Sequence, residues 1–156
     1  MTRDEMDRLV NRHFEQEAQD DLEGVLSTVT EDVQHRCVGS ICGPLSGKEA
    51  ARGFYRQLFA DLRGEGVRPI ARHYGEDFLV DEAEWTGTIA DASFCGLAGW
   101  SGRATFRMLH VFELRGERIS REELWFDVTA LRAQLAPPAR AQRADGAAAR
   151  GAATPG

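Results

Sequence analysis

Ala104-Thr105-Phe106-Arg107-Met108-Leu109-His110-Val111-Phe112-Glu113-Leu114 places Ala, Phe, Met, His, Phe and Leu on its even positions. That is the period-two pattern of a strand with one buried face. Downstream, 118–128 forms a second strand of a hairpin. Upstream, 67–75 and 78–90 keep the same period, with Leu79, Ala83, Trp85 and Ile89 on one face, and Gly96, Gly99 and Gly102 punctuate the loop that follows. The first third of the chain has a helical period instead. Thr2 with Glu5 forms a capping box ahead of Met6, Leu9, Val10, His13 and Phe14. A second helix carries Leu22, Val25, Leu26 and Val29, capped by Asp20 or Asp21. A third begins at Ser46, boxed by Glu49, and buries Ala51, Phe54, Tyr55, Leu58 and Leu62 before Gly64 and Gly66 end it. A short strand over 33–38 and a Gly/Pro loop over 39–47 separate the last two. The plan is α+β: three N-terminal helices cover one face of a strongly curved sheet, and the space between them is core or pocket.

At 156 residues the chain fits one domain, expected over 1–135. After Leu135 it turns to Ala, Arg, Gly and Pro, and a 136–156 tail of that composition buries too little surface to offset its ordering entropy. A net charge of −6 with interspersed arginines excludes a basic nucleic-acid face. The charged start Met1-Thr2-Arg3-Asp4-Glu5 lacks a secretory h-region, and no apolar run approaches the roughly 20 residues of a membrane span. Three cysteines, Cys37, Cys42 and Cys95, make an odd count that suits a reducing cytoplasm, and they read as small hydrophobes. No ligand-spaced cluster or phosphate loop points to a metal or organic cofactor.

Several polar residues interrupt apolar faces. His110 lies between Met108 and Phe112, where an imidazole is either a satisfied core group or a pocket acid/base. A three-residue turn over 115–117 would pair His110 with Glu122 and put Leu124 and Phe126 on the same face; a two-residue turn at Arg115-Gly116 would pair it with Arg121 and aim Glu123 and Trp125 alongside it. His13 sits on the buried face of the first helix. His35 and Arg36 are adjacent on one strand, so only one of them faces inward. Trp85 and Trp100 are candidate walls for a flat ligand.

Three patterns carry a resemblance: Asp21-Leu22-Glu23-Gly24; Val38-Gly39-Ser40 with Ser46-Gly47 and Gly53-Phe54-Tyr55; and the hairpin from His110-Val111-Phe112-Glu113-Leu114 through Ile119, Trp125 and Asp127 to Leu131 and Leu135. In this order, over about residues 5–135, the chain resembles the nuclear transport factor 2-like superfamily, closest to its SnoaL-like polyketide cyclase branch. The resemblance implies a cone-like roll around a pocket, a homodimer and a small-molecule ligand. It implies less about the reaction. The isomerases' catalytic aspartate matches Arg36, which is no base at neutral pH. Their oxyanion tyrosine matches His13, their oxyanion aspartic acid matches His110, and only their supporting tyrosine is kept, as Tyr55. The cyclases' histidine matches His110, but their acid matches Leu124, with Glu122 the nearest substitute. The expected function is cofactor-independent cyclisation, isomerisation or dehydration of a small, largely apolar carbonyl compound in secondary metabolism. His110, Glu122 and His13 would be catalytic. Tyr55, Arg36, His35, Trp85, Trp100, Phe106, Met108, Phe112, Leu124 and Phe126 would bind substrate. The alternative is a non-catalytic binding or interaction module of the same fold.

Overall fold

A computed structural model of the chain describes residues 1–39 and 43–138. Cys42 and residues 139–156 of the expected tail lie outside the described residues. Helix α1 (Arg3–Ala18) has the full capping box: the Glu5 N–H donates to Thr2 Oγ1 at 3.3 Å and the Thr2 N–H to Glu5 Oε2 at 2.7 Å. Its buried stripe is Met6, Leu9, Val10 and His13, the spacing of one helical face. Helix α2 (Leu22–Thr28) is capped by Asp21, whose carboxylate accepts from the Gly24 N–H at 3.0 Å. Strand β1 (Val29–Val38) and the short β2 (Leu45–Ser46) follow, then helix α3 (Lys48–Asp61).

The start and end of α3 differ from expectation. Ser46 pairs with Gln34 in the sheet, so the N-cap is Gly47, without a side-chain cap. The helix ends at Asp61, and Leu62 opens strand β3 (Leu62–Tyr74). Gly64 and Gly66 therefore lie within a strand. Gly64 faces Gly87 on strand β4 (Phe78–Ile89), and the Trp85 indole lies over it, with Nε1 3.3 Å from where a Gly64 Cβ would stand. Gly64 and Gly87 make room for that ring, the packing use of glycine in strands.

Strands β5 (Gly102–Arg115) and β6 (Arg118–Phe126) complete a six-stranded mixed sheet of order β2-β1-β6-β5-β4-β3. β1 runs parallel to β6, and every other pairing is antiparallel. Register shifts in β3 and between β5 and β6 are the bulges that bend long strands. The sheet curves without closing. A fourth helix, α4 (Val128–Gln134), stands where only a terminal segment was expected. Asp127 caps it by accepting from the Ala130 N–H at 3.0 Å, and Leu131 is fully buried. Ser101 and Ala136 exchange backbone hydrogen bonds just beyond it.

Two apolar clusters result. One joins α1, α2 and α3 to the sheet through Met6, Val10, Leu26, Tyr55, Leu79, Phe112 and Ile119. The other gathers Ile89, Cys95, Ala104, Phe106, Leu131 and Leu135 at the α4 end. The cavity opens between them. Among the described residues no helix is long and apolar enough to cross a membrane.

Candidate active site

The hairpin register decides which carboxylate enters the fold. Arg115 pairs with Arg118 across a two-residue turn, Gly116-Glu117, with Gly116 at φ +62°. Leu114 then pairs with Ile119, but Glu113 pairs with Arg121. Ser120 is the extra residue of a bulge, its hydroxyl donating to the Glu113 carbonyl at 3.1 Å. Neither sequence register is the observed one: Phe112 faces Glu122 and His110 faces Leu124. A bulge restores the parity that a two-residue turn would have inverted, so Glu122 still shares the inner face with His110. Its Oε1 lies 3.9 Å from His110 Nε2.

The parallel neighbour supplies a second imidazole. His35 is the register partner of Glu122, and its Nε2 lies 3.9 Å from Glu122 Oε2. With His35 inward, Arg36 is exposed on the outer face beside Glu123. Arg36 is thus not a pocket residue, because alternate strand residues point to opposite faces.

The Glu122 side chain is 3% exposed, a position a carboxylate holds only with partners. Tyr55 Oη donates to its Oε2 at 2.6 Å. His13 Nε2 lies 3.5 Å from the same oxygen, 3.3 Å from Tyr55 Oη and 3.4 Å from Glu17 Oε1. On the far side of the ring, His13 Nδ1 meets Thr28 Oγ1 at 2.7 Å, and Thr28 Oγ1 donates to the Val25 carbonyl at 2.6 Å. Burial pulls the His13 pKa down, but the two carboxylates outweigh it and push it up to about 10. Burial alone would raise the Glu122 pKa; the imidazoles around it, His13 foremost, hold it well below the usual carboxylate range. Burial depresses the His35 pKa and keeps that ring neutral. Burial and Glu122 raise the Tyr55 phenol well above its ordinary value, so it stays a donor. Tyr55→Phe deletes one hydrogen bond to a buried charge and should lower stability by about 1.5–3 kcal/mol in urea unfolding. An unchanged midpoint would show that Glu122 finds its partner elsewhere.

A cavity of about 730 Å³ lies over this cluster, within the range of small-molecule sites. Glu122, His35 and His110 line its polar end; Trp85, Phe94, Phe106, Met108, Leu124 and Phe126 line the sheet side, and Phe14, Phe54 and Phe59 the helix side. His13, Tyr55 and Phe112 do not line it. They stand behind the lining, so His13 and Tyr55 hold Glu122 without reaching a ligand. Phe112 stacks on His110 with ring centroids 5.4 Å apart and planes 4° apart. Among the described residues, His110 Nδ1 is buried without a hydrogen-bond partner. Trp100 is also absent from the lining: it packs against the α4-end cluster, under the Arg132 guanidinium at 5.3 Å. Glu17 was not singled out from sequence. Its i,i+4 spacing from His13 was the available signal, since that spacing puts both side chains on one helix face.

A family model described as a SnoaL-like domain matches residues 10–122. Among solved structures, a proposed SnoaL-like polyketide cyclase from Jannaschia sp. CCS1 is 24% identical with a TM-score of 0.70, the match covering 84% of this chain and 92% of that one. A proposed polyketide cyclase from Xanthomonas campestris pv. campestris is 20% identical with a TM-score of 0.71, over 85% and 97%. A hypothetical protein with a ketosteroid isomerase-like fold from Catenulispora acidiphila, in complex with trimethylamine, is 17% identical with a TM-score of 0.68, over 85% and 95%. At these identities the likeness is one of fold. No curated protein matches the sequence.

Proposed function

Because the chain belongs to the SnoaL-like domain family of the nuclear transport factor 2-like superfamily, we propose that it is an acid/base enzyme acting on a small, largely apolar carbonyl compound. The reaction class is cyclisation, isomerisation or dehydration in secondary metabolism. The observation that carries this reading is a buried, ionised carboxylate between two cavity-facing imidazoles at the polar end of an aromatic cavity. The apolar body of the ligand lies against Trp85, Phe106 and Phe126. His110 Nε2 takes the proton from the carbon next to the carbonyl, and the electron pair moves into an enolate. Glu122 Oε1, already ionised, stabilises the imidazolium that forms and orients it. His35, kept neutral by burial, offers an N–H to the enolate oxygen, as a preorganised donor does where charge develops. The proton then returns from His110 to a different carbon or to a leaving hydroxyl.

The test is solvent-deuterium exchange next to the carbonyl across a panel of aromatic polyketides and β-keto esters, followed by mass spectrometry. Exchange by the parent protein should fall by about 10²–10⁴-fold in His110→Ala, with the unfolding midpoint kept. Unchanged exchange would remove His110 from the mechanism. The second reading, a non-catalytic binder, is favoured by the way Tyr55 and His13 saturate Glu122 Oε2 from behind. It requires ligands of the panel to bind without exchange and with affinity insensitive to Glu122→Gln.

A further inference from the structure

Thr28 has one hydroxyl proton, and at 2.6 Å from the Val25 carbonyl that proton is committed. Thr28 Oγ1 must therefore accept from His13 Nδ1–H at 2.7 Å. A neutral His13 consequently carries its lone pair on Nε2, the atom that faces Glu17 and Glu122. An oriented tautomer, fixed by a hydrogen bond on the other ring nitrogen, is what a metal-ligating histidine requires.

The spacing of the facing atoms points the same way. His13 Nε2 stands 3.4 Å from Glu17 Oε1 and 3.5 Å from Glu122 Oε2, too long for good N–H···O bonds. The ligand atoms of a tetrahedral ion with bonds near 2.0–2.1 Å stand about 3.3–3.4 Å apart. All three ligand atoms lie within 4.8 Å of one another. Water can supply the fourth ligand, as it does in sites with three protein ligands. Imidazole with carboxylates is a donor set for zinc and its first-row neighbours; magnesium and calcium prefer oxygen alone.

We propose that the cluster just behind the polar end of the cavity is a divalent transition-metal site, with His13 Nε2, Glu17 and Glu122 as ligands and water completing a tetrahedron. The ion takes the place of the proton that His13 otherwise holds between the two carboxylates. It also ties down the carboxylate that His110 uses, so in the proposed reaction the metal-loaded form is the inactive one. The binding half of the proposal stands without that reaction.

The test uses the full chain, freed of metal by chelator and titrated with zinc chloride in a calorimeter. Cobalt(II) serves as the second probe, through the visible absorption of its tetrahedral form. One ion should bind per chain. Glu17→Gln should weaken it by at least about tenfold, and Thr28→Val, which releases the tautomer without removing a ligand, by about 10–100-fold. Absence of stoichiometric binding overturns the proposal, as does binding indifferent to both substitutions. Both ions are assayed without substrate, so a failure here leaves the acid/base reading standing. Zinc binding in a protein that exchanges no deuterium does the reverse.

Discussion

Glu122→Gln is expected to lower stability by about 3–5 kcal/mol near pH 6, the loss seen when one partner of a buried ion pair is removed. The amide keeps the shape and can still accept from Tyr55 Oη, so the loss isolates the charge. What it leaves behind is His13, fully buried and deprived of the more deeply buried of its two counter-ions. The pH dependence fixes the assignment. The His13 pKa is raised in the folded protein, to about 10, against about 6.5 in the unfolded chain. The folded state then binds more protons, so this contribution is full below pH 6.5 and disappears as pH rises through 10. The Glu122 pKa is lowered, so its contribution is present above the unfolded carboxylate range and falls as pH drops below it. Urea midpoints measured with chelator present should peak between these limits and decline on the alkaline side. In Glu122→Gln the alkaline decline should flatten. A variant with the parent's stability and the parent's slope would separate His13 from Glu122 altogether.

Gly87→Ala should destabilise by about 1–3 kcal/mol, the range of overpacking a filled interior. Gly87 is buried and is the register partner of Gly64 on β3 and Ala104 on β5. A Cβ there would lie 2.5 Å from the Trp85 ring and closer still to the Arg63 carbonyl oxygen. Backbone cannot swing aside as a side chain can, so β3 moves or Trp85 does. Because Trp85 lines the cavity, its displacement reduces the room for a ligand and alters its fluorescence. Gly64→Ala is the control: its Cβ meets only the indole edge, at 3.3 Å, and should cost well under half as much in thermal unfolding. Equal losses at the two positions would show that strand conformation, and not the ring, sets the cost.

Periodicity made most of the fold legible. The even face of β5 and the stripe of α1 are both long, regular patterns, and they lie where the period puts them. The misreadings share one cause: a residue's local preference was overruled by something packed against it. Gly64 and Gly66 signal a helix stop in isolation, yet both belong to a strand paired with β4, and at Gly64 the Trp85 indole takes the space a side chain would fill. Ser46 has cap chemistry but is drawn into pairing with Gln34. The bulge at Ser120 has no residue signature, and it alone decides that Glu122 and His110 meet diagonally. The candidate site was legible in the same uneven way. The odd polar residues His110, His13 and Glu122 stood out against apolar faces, while depth did not: nothing local distinguishes His35, which lines the cavity, from His13, which stands behind it. Arg36 was placed by family position, and strand parity puts it outside.

The parallel seam between β1 and β6 also sets the order of assembly. Val29 pairs with Ile119 and His35 with Glu122, so one of the earliest strands to be synthesised waits for the last. Until β6 arrives, a nascent chain carries helices α1 to α3 and an unpaired edge of β1 that invites pairing with other chains. Closing so distant a pair is slow. It is also the step that brings the carboxylate to its imidazoles, so the binding function should appear abruptly, with the final strand, and not by degrees.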